Sequence, residues 1–166
     1  MPSPAIQQLW QAYLATLPEP YHTLIAQQGY TADAWGDNPA LADELGGLIA
    51  AGVKTATCGA LWDYEATGDP IPTVGQKTIV LDGRGAPLCV IETTEITIRA
   101  FNAVDAQFAY EEGEDDRTLA SWRTEHQRYF TRTLAASGRT FDKTMPLVCE
   151  RFRLLYPKPA GRNQLD

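Results

Sequence analysis

The chain has 166 residues, 44% hydrophobic and 21% charged, and carries a formal net charge of −7. That length suits one domain, and the composition is that of an ordinary globular protein. The acidic balance argues against a coat for duplex DNA or long RNA, which needs a basic surface, and favours a small substrate or a short single strand held in a pocket.

The spacing of Ile6, Leu9, Trp10, Tyr13, Leu14 and Leu17 predicts an amphipathic helix that ends at Pro18-Glu19-Pro20. Trp35 to Pro39 reads as a turn. Asn38 can cap a helix over 40–51, Pro39 suits its first position, and Gly52 is a left-handed stop. Strands are expected over 53–61 and 77–81, with loop signals at Gly68-Asp69-Pro70 and Pro72 to Gly75. A hairpin turn at Asp82-Gly83-Arg84-Gly85 leads to a long strand over 88–98. A short helix over 106–112, an amphipathic helix over 118–134 and a closing strand over 145–156 complete the pattern. Short strands with helices that do not alternate strictly with them give an α+β class, a curved sheet or small barrel flanked by helices. The N-terminus lacks a basic region followed by an apolar core, and no apolar run is long enough to span a membrane, so a cytoplasmic protein without membrane contact is expected. Cys58, Cys89 and Cys149 are odd in number and widely spaced, which disfavours both a disulfide framework and structural zinc.

No phosphate loop, dinucleotide fingerprint or metalloprotease motif is present. Two segments stand out. In the first, Lys54 follows the helix stop and opens a strand of small residues. A desolvated lysine can act as a base, and Thr57 could supply a nucleophilic hydroxyl. In a regular strand residues three apart point to opposite faces, so the two need a bend to meet, and a plain surface lysine is the simpler reading. The second segment is Glu111-Glu112-Gly113-Glu114-Asp115-Asp116, five acids in six residues. It reads as a solvated loop before a helix, unless one carboxylate turns inward to a lysine or several hold a divalent ion. His126 lies one turn from Trp122, where a half-buried helix residue is the simpler reading than a ligand contact.

In combination these segments resemble the ASCH-domain family. Trp35-Gly36-Asp37, Ala42-Asp43-Glu44-Leu45 and Gly52 to Thr57 are similar to its first block; Glu111 to Asp115, Leu119, Ser121-Trp122-Arg123 and His126 to Phe130 are similar to its second. The resemblance covers about 30–156, leaving 1–29 as a helical extension packed on the domain and 157–166 as a flexible tail. It implies a PUA-like fold, a small β-barrel flanked by helices, and engagement of single-stranded RNA or a modified nucleoside. One branch hydrolyses the acetyl amide of 4-N-acetylcytidine with a lysine, a threonine three residues on and a glutamate before a helix. These resemble Lys54, Thr57 and Glu112, with Trp35, Asp37, Thr55, Arg123 and His126 as substrate-binding candidates. Cys58-Gly59 departs from that branch, which has an apolar residue and arginine there. Other members are ribonucleases. The expected activity is therefore a nucleoside amidohydrolase or ribonuclease, or else a non-catalytic RNA-binding module. No cofactor is required by the first, and Mn²⁺ or Mg²⁺ could serve the second.

Overall fold

A computed structural model describes residues 2–158. The expectation of a flexible tail therefore concerns residues that mostly lie outside the described part. Six α-helices and five strands are present among the described residues: α1 (Pro4–Leu14), α2 (Tyr21–Gln28), β1 (Thr31–Asp33), α3 (Pro39–Ala50), β2 (Ala56–Ala60), α4 (Leu61–Thr67), β3 (Lys77–Leu81), β4 (Pro87–Ala100), α5 (Ala106–Glu112), α6 (Leu119–Ala135) and β5 (Pro146–Tyr156). The strands hydrogen-bond in the order β1-β3-β4-β5-β2. β1 runs parallel to β3, β3 antiparallel to β4, and β2 antiparallel to β5, so the sheet is mixed and the class is α+β. No described helix is long and apolar enough to cross a membrane.

Two compact units share the chain. Among the described residues the first holds 2–52, 76–92 and 153–158. Its core sets Ile6, Trp10, Tyr13 and Leu14 of α1 against Ile79 and Val90 of the sheet. The predicted periodicity of α1 is thus satisfied, with Ser3 capping the helix through Ile6 N. Asn38 caps α3 by accepting from Leu41 N at 2.9 Å, Pro39 follows it, and Gly52 closes the turn after α3 at φ 74°. Asp82 accepts from the backbone N–H groups of Arg84 and Ala86, which fixes the hairpin before β4.

The second unit holds residues 53–75 and 93–152. Phe101, Phe108, Trp122, Phe130 and Leu134 pack with Ala56 and Ala60 of β2 and with Leu147 and Cys149 of β5. Small residues on β2 let α5 and α6 approach the sheet. β2 is shorter than the expected strand over 53–61: extended pairing begins at Ala56, and Leu61 starts α4. The helix α2 and strand β1 were also not anticipated. All three cysteines are free thiols.

Candidate active site

The acidic run is not a solvated loop in its first half. α5 ends at Glu112 because Gly113 adopts φ 71° and donates its N–H to Tyr110 O. A side chain at Gly113 has no room: its Cβ would lie 2.8 Å from Val53 O and 3.0 Å from both Lys54 Cα and Lys54 N. This contact presses the acidic turn against the residues just before β2. Thr55 completes the joint, donating its N–H to Glu111 O at 2.8 Å and accepting from Phe152 N at 3.0 Å. Gly113→Ala is expected to lower stability by about 1–3 kcal/mol or more, from the positive φ and the clash together. A thermal melt equal to wild type would show that this joint is not tight.

The joint brings Lys54 and three acids of the run together in different ways. Lys54 is 1% exposed. Its Nζ lies 2.8 Å from Glu114 Oε2 and 3.9 Å from Glu112 Oε1, and it donates to the Glu112 carbonyl at 3.4 Å. Glu112 is equally buried; its Oε2 accepts from the Trp122 indole N–H and lies 2.7 Å from His126 Nε2. Glu111 instead turns to Arg151 and Gln107. Glu114, which pairs most closely with the lysine, is a partner the residue pattern left undecided among three neighbours.

The charges follow from this geometry. Burial works against the Lys54 ammonium, but the Glu112 and Glu114 carboxylates outweigh it, and the pKa is raised. Burial likewise disfavours charge on Glu112, yet His126 and Lys54 hold its carboxyl below the usual range. For His126 burial is again overcome, chiefly by Glu112, and the pKa is raised. The ring geometry agrees. Nδ1 faces Trp122 O at 2.9 Å and Nε2 faces a carboxylate, so both nitrogens meet acceptors and the imidazolium donates to each. Trp122 also stacks on the imidazole, with ring centroids 4.2 Å apart. Two cations and two anions therefore balance inside the protein. A carboxylate at the C-terminal end of a helix opposes the helix dipole, and these partners are what offset that cost.

Cys58 Sγ, a carboxylate oxygen of Glu112 and a ring nitrogen of His126 lie within 4.8 Å of one another. The donor set does not suit a metal. Burial and then Glu112 push the Cys58 thiol well up, both histidine nitrogens are engaged, and Lys54 already neutralises Glu112. Mn²⁺ and Mg²⁺ in addition take oxygen ligands, and within this trio only the already paired Glu112 offers one.

Thr57 is placed by β2 itself. Lys54 precedes β2, whereas Thr57 is its second residue, half-buried, and directly opposite Glu150 on β5. Lys54 Nζ makes no hydrogen bond to it. Opposed residues of an antiparallel pair share a face, so Thr57 faces Glu150, while its neighbour Cys58 packs on the core that contains Trp122. Glu150 is 6% exposed and accepts from the Thr93 hydroxyl at 2.6 Å. Burial raises its pKa, against the Thr93 donor and the Lys54 charge. Among the remaining candidates, Arg123 is exposed near the start of α6, and Trp35 and Asp37 belong to the first unit. Sequence reasoning missed Glu150 entirely. Its signal is an acid directly after the apolar stretch Leu147 to Cys149, at an inward position of a strand, where a carboxylate costs burial energy.

A family model for the ASCH domain matches residues 31–156. The chain belongs to the ASCH domain family. The crystal structure of an ASCH domain from Lactobacillus crispatus JV V101 superposes with a TM-score of 0.86 at 30% identity, covering 93% of this chain and 96% of that one. Protein EF3133 from Enterococcus faecalis V583, of the family DUF984, gives a TM-score of 0.75 at 33% identity over 90% of this chain and 87% of its own. Among curated proteins there is no match. The ASCH assignment carries the PUA-like fold, a small barrel flanked by helices, in accord with the mixed sheet and six helices described above.

Proposed function

We propose that this ASCH domain is an amidohydrolase of a small acylated nucleoside, with the acetyl amide of an acetylated cytidine as the substrate class. The observation that carries the reading is the Lys54 ammonium, fully buried and fixed by Glu112 and Glu114 three residues ahead of Thr57. Burying two ions costs several kcal/mol apiece before pairing, a cost that packing alone does not require. Thr57 is the nucleophile, attacking the acyl carbon. Because Lys54 is held in its charged form, it acts as a fixed cation that favours negative charge on the acyl oxygen rather than as a base. Glu112 is filled by Lys54, His126 and Trp122, so its part is to position the lysine.

Charge distribution supports a small neutral substrate over a long phosphate chain. Arg99, Arg128 and Arg151 each pair with an acid, leaving no continuous basic strip among them for RNA. The deciding experiment incubates the purified protein with 4-N-acetylcytidine and follows release of cytidine by chromatography. Turnover that disappears in Thr57→Ala is expected. No cytidine release, together with salt-sensitive retention of a labelled single-stranded RNA, would replace this reading with that of a non-catalytic RNA-binding module.

A further inference from the structure

Glu150 feels the Lys54 charge but makes no ion pair with it, and three features single it out. It is nearly buried in the middle of β5, and it faces Thr57 across the β2–β5 pair. One of its oxygens, Oε1, is held by the Thr93 hydroxyl. The other, Oε2, makes no hydrogen bond within the described residues and is not among their sealed, unsatisfied polar atoms, so it keeps contact with solvent. A buried carboxylate with one oxygen anchored and the other open, across from a half-buried hydroxyl, has the form of a general base awaiting its proton. Directly opposed Cβ atoms lie roughly 4.5–5.5 Å apart, so the carboxylate and hydroxyl need only side-chain rotation to meet.

We propose that Glu150 is the proton-transfer group for Thr57, with Thr93 positioning it. The inference rests on the reading of Thr57 as nucleophile. In the first half-reaction the Thr57 oxygen bonds to the acyl carbon and its proton passes to Glu150 Oε2. The tetrahedral species then collapses: the carbon–nitrogen bond breaks, and the proton on Glu150 moves to the leaving nitrogen. In the second half-reaction water adds to the acyl-Thr57 ester and gives its proton to Glu150. The ester bond breaks, and Glu150 returns the proton to Thr57. The carboxylate begins and ends ionised, and Lys54 keeps its charge throughout.

The test uses an acyl donor that does not depend on nucleoside recognition. Wild type, Glu150→Gln and Thr93→Val are treated with p-nitrophenyl acetate, p-nitrophenolate release is timed, and the acetylated residue is located by peptide mass spectrometry; 4-N-acetylcytidine turnover is measured alongside. Acetylation of Thr57 in wild type, slowed about 100-fold or more in Glu150→Gln with KM little changed, is the expected result. Thr93→Val leaves the carboxylate but removes its anchor, and a drop of about tenfold is expected. If Glu150→Gln does not fold, a folded Thr93→Val with undiminished acetylation overturns the proposal. Acetylation of Thr57 at the same rate in Glu150→Gln overturns it while leaving Thr57 as nucleophile. An unmodified Thr57 in wild type overturns both. Glu150-dependent acetylation without acetylcytidine turnover upholds the proposal and removes only the nucleoside as substrate.

Discussion

Lys54→Met abolishes turnover and destabilises the domain by about 3–5 kcal/mol, the cost of removing one member of a buried ion cluster. Methionine matches the length of the lysine stem, so little of the effect comes from lost volume. Two carboxylates lose their cation at once, but unequally. Glu114 is 23% exposed and can turn to water, whereas Glu112 at 1% cannot. Glu112 keeps the His126 imidazolium and Glu114 can reach water, so the two share the penalty, and Glu114→Gln, which leaves the ammonium beside Glu112, is the milder change. Chemical denaturation and acetylcytidine turnover check this together. A Lys54→Met variant as stable as wild type would mean that the buried ammonium is not held as described.

Glu112→Gln is expected to cost a similar amount, about 3–5 kcal/mol, and its cost depends on pH in a defined direction. The folded pKa of His126 is raised above 6.5, so its share of the stability is complete below that value and fades as pH rises through the folded pKa. The folded pKa of Glu112 is lowered from 4.5, so its share is complete above that value and is lost as pH falls through the folded pKa. The imidazolium–carboxylate pair thus contributes in full between the two ordinary values, 4.5 and 6.5. The loss on Glu112→Gln is largest there and smaller in alkaline solution, where only the Lys54 contact remains to be broken. Denaturant melts at about pH 5.5 and about pH 9 measure the difference. Nuclear magnetic resonance of His126 supplies the second readout: its midpoint falls in Glu112→Gln. A penalty independent of pH, or an unmoved midpoint, would sink the assignment of an imidazolium at His126.

Long periodic segments declared themselves in the residue pattern. α1, α3 and α6 carry apolar residues at helical spacing, and β3 and β5 carry the apolar stretches Ile79 to Leu81 and Leu147 to Cys149. The three missed elements are short. β1 spans three exposed residues with no alternation to read, and α2 buries none of its side chains completely. α4 follows β2 without a break and is rich in residues that favour strands. The site was legible in part. The resemblance singled out Lys54 and Glu112, but nothing local separates a buried lysine from a surface one, because its partners lie 58 and 60 residues away along the chain. Glu150 escaped because the apolar residues around it spoke only of a strand.

The joint between Thr55 and Glu111 has a consequence for how such a domain diversifies. β2 is an edge strand, and at its start the neighbour that accepts its backbone hydrogen bond is the end of a helix. The charged groups belong to this margin: Lys54 just before a strand, Glu112 and Glu114 at and beyond a helix terminus. The residues that set the packing, such as Phe108, Phe130 and Leu147, lie within the elements. Insertions or exchanges in the stretches flanking β2 and α5 would reshape what this margin meets without touching the packed core. Descendants could thus trade substrates while inheriting the same scaffold and the same buried cation.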